Sequence, residues 1–133
     1  MKRLPPDGID LIMAERERQI TAEGWDSKHD DLHHDGELAL AAACYALPDH
    51  ARELDSGEGG FQVKIKLRYL LWPWDGWWKP TPDDRVRELV KAGALIAAEI
   101  DRLLRSRDDW ARVKRPAKRP RFSGPGTPLD YEP

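Results

Sequence analysis

The alternation of apolar and polar positions predicts three amphipathic helices, one strand and a loop that carries most of the tryptophan. Ile9, Ile12, Met13 and Ile20 fall roughly on one stripe and Glu15, Arg16, Glu17, Arg18 and Gln19 mostly off it, which predicts a first helix over about residues 8–23, opened by Asp7-Gly8. Glu15 and Gln19 follow Leu11 at four-residue spacing and form a short polar row bordering the stripe, facing either a ligand or water. Gly24 is expected to stop this helix and Trp25 to fold back over its end. Leu38, Ala41, Ala42 and Tyr45 predict a second helix over about 35–47, capped by Asp35 and ended by Pro48. The strongest helix signal spans about 82–106. There Val86, Leu89, Val90, Gly93, Ala97, Ile100 and Leu104 recur at helical spacing behind Thr81 as N-cap and Pro82 as first residue, and are expected to form the backbone of the core.

Between 61 and 69 the period falls to two, with Phe61, Val63, Ile65, Leu67 and Tyr69 alternating with Gln62, Lys64, Lys66 and Arg68. That is the pattern of a half-buried strand. No second equally clear strand is found in the sequence, so unless the stretch is helical after all its backbone groups need an irregular segment or the same strand of a second copy, and a symmetric dimer is the economical answer. Residues 48–60, rich in turn formers and charge, are expected to be a flexible surface excursion. The fold class expected is therefore mainly α: a compact bundle of about three helices with a tryptophan-rich loop and one short strand pairing across a dimer.

The 133 residues suit one domain with a single modest core. Residues 1–110 read as one helical ligand-binding domain, and 111–133, with six Lys/Arg against two Asp/Glu and many Pro and Gly, as a basic flexible tail. The body is acidic, which makes it a poor general nucleic-acid binder without excluding a small anion held by chosen cations. No apolar run is long enough to span a bilayer and no secretory signal is read at the N-terminus, so no membrane association and a cytoplasmic location are expected. Cys44, the one cysteine, excludes an internal disulfide and reads as a small buried thiol.

Two stretches carry candidate chemistry. Residues 70–82 hold four of the six tryptophans, and Pro73, Gly76, Pro80 and Pro82 keep Trp72, Trp74, Trp77 and Trp78 on an irregular loop. Flat indoles beside Asp75 and Lys79 suit a planar charged ligand; equally, the loop reads as an aromatic plug on a small helical core. Residues 26–35 are a polar connection crowded with Asp and His. Pairs such as Asp31 with His34, Asp30 with His34, or His33 with Glu37 offer a divalent ion carboxylate and imidazole, while a solvated loop explains the same residues, and the spacing does not assign a metal.

Ala14-Glu-Arg-Glu-Arg-Gln19, Glu23-Gly-Trp25, His29-Asp-Asp-Leu-His33, Gly36-Glu-Leu38, Trp72-Pro-Trp74, Trp78-Lys-Pro80 and the run from Leu89 to Ile96 followed by Glu99 resemble a family of small bacteriophage and prophage proteins, over about residues 9–105. More distantly, the chain is similar to the MazG-like all-α nucleoside triphosphate pyrophosphohydrolases, whose acidic residues bind magnesium for attack of water on a phosphate chain. That resemblance would give metal-binding parts to Glu37, Glu99 and the Asp30/Asp31 pair. The Glu-x-x-Glu motif of that group is absent, however, and Arg102 stands where a further acid would be expected. A second analogy, of size, origin and aromatic chemistry, is to phage proteins that capture nucleotide immune signals of the host.

These readings lead to a phage-type protein that binds and sequesters a nucleotide or ADP-ribose-like signal without catalysis or a cofactor, acting as a homodimer or higher homo-oligomer. Trp72, Trp74 or Trp78, with Trp25, are expected to stack on the base. Lys79, Arg16 and Arg18 are expected to meet phosphate, and Glu15, Gln19, Asp31, His33 and Glu37 ribose hydroxyls or base edges. One alternative is a magnesium-dependent pyrophosphohydrolase using Asp31, Glu37 and Glu99. Another is an inhibitor that docks its tryptophans on a host protein.

Overall fold

The computed structural model describes residues 4–56 and 63–106. The expected tail, 111–133, and strand positions Phe61 and Gln62 lie outside them. The fold is mainly α, as expected. Helix α1 (Gly8–Thr21) is opened by a capping box in which the Asp7 carboxylate accepts the Asp10 N–H at 2.9 Å and Asp10 returns the bond at 3.0 Å. After α1, Gly24 takes a positive φ of 73° and the Trp25 N–H donates to the Gln19 carbonyl, so the chain folds back over the helix end. The polar connection then forms a short helix α2 (Ser27–Asp31), capped by Asp26. Helix α3 (Glu37–Ala46) begins at Gly36 rather than at a side-chain cap from Asp35: Gly36 has φ 84°, and Glu37 reaches back to the Asp35 N–H.

Residues 48–56, expected to be part of a flexible excursion, contain a 3₁₀ turn (Asp49–Ala51) and strand β1 (Glu53–Ser56). β1 pairs antiparallel with β2 (Val63–Lys66), Leu54 opposite Ile65. The predicted strand thus finds its partner in an irregular-looking segment of the same chain. It also ends early, since Arg68–Leu71 form the one-turn helix α4. Trp72 to Asp84 are irregular, as the prolines require. Helix α5 (Arg85–Ser106) starts three residues later than expected, because Thr81 sits in a preceding turn and the Asp84 carboxylate accepts the Arg87 N–H.

The core joins α3 to α5 through Leu38, Ala41, Ala42 and Tyr45 against Ala92, Leu95 and Ala98, with Trp72, Trp74 and Trp78 packed on its edge. Alanines on both faces allow the close approach. The tryptophan loop is therefore in part the aromatic plug that its composition suggested.

The expected orientation of the two long helices is overturned in part. α1 buries Glu15 and Gln19 and leaves Ile9, Met13 and Ile20 about half exposed. α5 turns Ala92, Ala94, Leu95 and Ala98 inward, together with Glu88, Glu99 and Arg102; of the expected core stripe Val90 is buried and Gly93, Ala97 and Leu104 are half-buried, while Val86, Leu89 and Ile100 are exposed. A helical period identifies a stripe without saying what covers it. No helix among the described residues is long and apolar enough to cross a membrane.

Candidate functional site

The buried polar row of α1 faces a cavity of about 250 Å³ between α1, α5 and the tryptophan loop. Glu15, Gln19 and Arg18 line it from α1, Lys91 and Leu95 from α5, Tyr45 from α3, and Trp72, Trp74, Trp77 and Lys79 from the loop, with Glu23 and Trp25 at the turn after α1.

Glu15 is 3% exposed and accepts two bonds from Arg18, at 2.9 and 3.0 Å, and one from Arg87. Burial pushes its carboxyl up, but these guanidiniums outweigh it and hold the group below the ordinary carboxylate range. Glu15 is thus an anion, and an anion fixes the amide of Gln19. The Gln19 Nε2 faces Glu15 Oε1 at 3.4 Å, which leaves its Oε1 as the buried acceptor without a partner. Trp74 Nε1 is likewise a buried donor without a partner. Buried polar atoms are nearly always bonded; among the described residues Arg16 Nε, Arg52 Nε, Arg68 Nε and Glu99 Oε2 are buried without a partner as these two are, and Arg52 and Arg68 line a different cavity.

Cations exceed acids around this cavity. Lys91 donates to the Lys79 carbonyl at 3.0 Å and lies 5.3 Å from the Tyr45 ring centre. Burial, and then the like charges of Arg87 and Arg18, push its ammonium below the ordinary lysine range despite Glu15. Tyr45 accepts the Lys79 N–H at 3.2 Å; burial raises its hydroxyl pKa more than that bond lowers it.

A continuous chain of ring contacts runs from the turn after α1 through the tryptophan loop, past the cavity at both ends. Trp25 stacks on His29 at 5.7 Å, His29 meets His33, His33 meets the edge of Trp74 at 5.2 Å, and Trp74, Trp72 and Trp78 follow at 5.3 and 5.1 Å. Trp72 Nε1 donates to the Gly76 carbonyl at 2.8 Å, tying the loop to itself. The turn this closes places Trp77, a non-glycine residue, at φ 62° with its indole 62% exposed.

Of the residues expected to contact a ligand, Glu15, Arg18, Gln19, Trp25, Trp72, Trp74 and Lys79 line this cavity. The others are placed elsewhere. Arg16 binds Asp30 at 2.7 Å and the Trp25 carbonyl, clamping α1 to α2. Asp31 is on the surface with Arg105, 2.9 Å away. His33 bonds Glu37 at 3.0 Å, and the pair stands behind Trp74. Trp78 lines a second cavity of about 510 Å³, where the Arg52 guanidinium lies 5.4 Å from its ring centre. Lys91, Tyr45 and Trp77 were not among the expected ligand residues. The signal available for Lys91 was its place one turn after Arg87 and one before Leu95, away from the aliphatic stripe of α5.

Among the described residues no three His, Cys, Asp or Glu side chains converge as a metal site would require. The acids of the pyrophosphohydrolase alternative are dispersed: Glu99 is bonded to Arg102, Asp31 to Arg105 and Glu37 to His33. Compared with known proteins, the chain matches no family model, and no curated protein or solved structure shows significant similarity to it.

Proposed function

We propose that the protein binds a small nucleotide-like molecule in the cavity beneath the tryptophan loop and holds it without turnover. The observation that carries this reading is the pair of unpartnered buried atoms, Gln19 Oε1 and Trp74 Nε1, on side chains of an indole-walled cavity. A base supplies what they lack, an N–H for the glutamine oxygen and a ring nitrogen or carbonyl for the indole. Trp72, Trp74 and Trp77 supply stacking surface, worth about 1–3 kcal/mol per base in single-strand binders. Arg18, Lys79 and Lys91 supply charge for phosphate. The volume, about 250 Å³, lies just below the usual range of ligand sites and suits a base with its sugar, leaving phosphates at the cationic rim.

The analogy of size, origin and aromatic chemistry to phage proteins that capture nucleotide immune signals supports capture of a host signal, and retention needs only shape, stacking and charge. The reading as a magnesium-dependent pyrophosphohydrolase needs carboxylates brought together on a metal, and here each acid it would use is bonded to a different partner.

The test is to incubate the protein with a panel of nucleotides and cyclic or ADP-ribose-type molecules, with magnesium, and to chromatograph the mixture before and after heat denaturation. One molecule should leave the free pool and return unaltered on heating, and Gln19→Leu should abolish its capture while keeping the circular dichroism of the parent. New product peaks would replace sequestration with catalysis. Titration calorimetry finding no member of the panel bound more tightly than millimolar would overturn the site.

A further inference from the structure

The cavity of about 510 Å³ beside Trp78 takes no part in the reading above. Leu47, Leu67, Trp78 and Pro80 give it an apolar side, and Arg52 and Arg68 a charged one. Arg52 follows the 3₁₀ turn and Arg68 opens α4, sixteen residues apart in sequence. The β1–β2 hairpin brings them together: past its last paired residues, Glu53 and Lys66, the Leu67 N–H donates to the Arg52 carbonyl at 2.8 Å.

The two guanidiniums differ in what they already hold. Arg52 is committed to Glu88 at 2.8 Å and to the Tyr45 carbonyl. Arg68 has no carboxylate partner among the described residues; it donates to the hydroxyl of its exposed neighbour Tyr69 at 3.2 Å. In both arginines Nε is buried without a partner. A guanidinium keeps its charge and has only donors, so an acceptor alone can complete it. The acids around the cavity do not do so. Asp49 is 80% exposed and reaches only Arg52, at 3.8 Å, and Glu53 stands opposite Lys66 in the hairpin register.

We propose that this cavity is a binding site of its own, which takes a small organic oxyanion: a carboxylate or phosphate group held by Arg68 and Arg52, on an apolar body lying against Trp78, Pro80 and Leu47. The planar fork of arginine matches both oxyanions. The volume falls inside the usual range of small-molecule sites. The apolar side calls for an organic anion, since an inorganic ion would leave it uncovered.

The site is tested without the nucleotide-like ligand. Arginine Nε–Hε signals of the full chain in ¹H–¹⁵N spectra, assigned with Arg52→Lys and Arg68→Lys, report on the atoms concerned. Titration with benzoate and with phenyl phosphate should move both signals along a saturating curve for at least one of the two anions. The tighter of them identifies the preferred group. Benzamide, a similar body without the charge, should leave both signals in place. Arg68→Gln should keep the parent's circular dichroism and weaken the anion by about tenfold or more, the loss of a charge-assisted bond. Unmoved signals overturn the proposal, as does benzamide binding equal to that of the anions. Binding that Gln19→Leu abolishes and Arg68→Gln leaves intact also overturns it, since the anion then sits beneath the tryptophan loop. If Arg68→Gln fails to fold, the Nε–Hε signals of the parent chain decide the matter.

Discussion

Ile12 of α1 lies across Gly93 of α5 so closely that a Cβ on Gly93 would stand 2.5 Å from Ile12 Cδ1 and 2.8 Å from Cγ1. The contact lets α1 settle on α5 near Glu15 and Gln19, so the shape of the cavity depends on a hydrogen atom in place of a methyl group. Gly93→Ala sets two effects against each other. Alanine gains about 0.5–1 kcal/mol in a helix interior, whereas overpacking costs about 1–3 kcal/mol. Overpacking should win, because Cγ1 as well as the flexible Cδ1 is in the way. Urea unfolding should show Gly93→Ala less stable than the parent, and Ile12→Ala introduced with it should recover most of the loss relative to Ile12→Ala alone. Equal stability of Gly93→Ala and parent would mean that the helices part more easily than the contact implies.

Acid should loosen the protein through two buried carboxylates. Burial raises the pKa of both Glu15 and Glu88, but Arg18 and Arg87 around Glu15, and Arg52, the Thr81 N–H and Arg85 around Glu88, outweigh it and leave both depressed. A folded pKa below the unfolded value of about 4.5 makes the stabilisation complete above that pH and progressively lost as pH falls through the folded value. Stability measured in urea should therefore decline below about pH 4.5. Glu15→Gln should be less stable than the parent at pH 7, with Arg87 left without its carboxylate and Arg18 left with Glu23 alone, and should lose less on acidification. Parallel pH profiles for the two proteins would remove Glu15 from this role.

The limits of α1 were legible because they are set locally, by Asp7 and by Gly24, whereas the start of α5 was expected at Thr81 and Pro82 and lies three residues later, where the Asp84 carboxylate caps it. The inward faces of the two helices were not legible, and the reason is physical. Glu15 tolerates burial because of Arg18 on its own helix and Arg87, 72 residues away, and no periodicity within α1 reports the second partner. The aliphatic stripe of α5, the clearest pattern in the chain, marks a surface rather than the intrachain core, where alanines carry the packing. β1 escaped notice because Glu53-Leu-Asp-Ser56 has no strand pattern of its own and is drawn into a ladder by β2. At the site, the tryptophan cluster and the polar row of Glu15 and Gln19 could be seen separately. Their meeting, and the contribution of Lys91 to it, are products of tertiary packing.

Ion pairs in this molecule should divide by depth. Glu88 is 1% exposed and bonded to Arg52 at 2.8 Å and to the Thr81 N–H at 3.1 Å, which anchors the end of the tryptophan loop to α5. Glu88→Ala leaves the mostly buried Arg52 with only the Tyr45 carbonyl and the exposed Asp49, 3.8 Å away, and should cost about 3–5 kcal/mol. Arg105 and Asp31 form a pair of similar length, 2.9 Å, with both side chains more than a third exposed. Arg105→Ala should change stability by less than about 1 kcal/mol. Denaturant midpoints of the two variants decide the matter, and a comparable loss in both would show that depth is not what separates them.

Trp77 offers a separation of stability from binding. Its φ of 62° is a left-handed conformation that costs an ordinary side chain about 1–2 kcal/mol. Its indole is mostly exposed, so little burial offsets that cost, and the residue contributes chiefly a wall of the cavity beside Trp74, 6.2 Å away. Asparagine adopts the same conformation with less strain and offers no stacking surface. Trp77→Asn should therefore match or slightly exceed the parent in urea stability. Its affinity for the captured molecule should fall by about 5- to 150-fold, the loss of one stacking contact of about 1–3 kcal/mol. Paired unfolding curves and titrations check both halves. A less stable variant with unchanged affinity would make Trp77 a structural residue and leave stacking to Trp72 and Trp74.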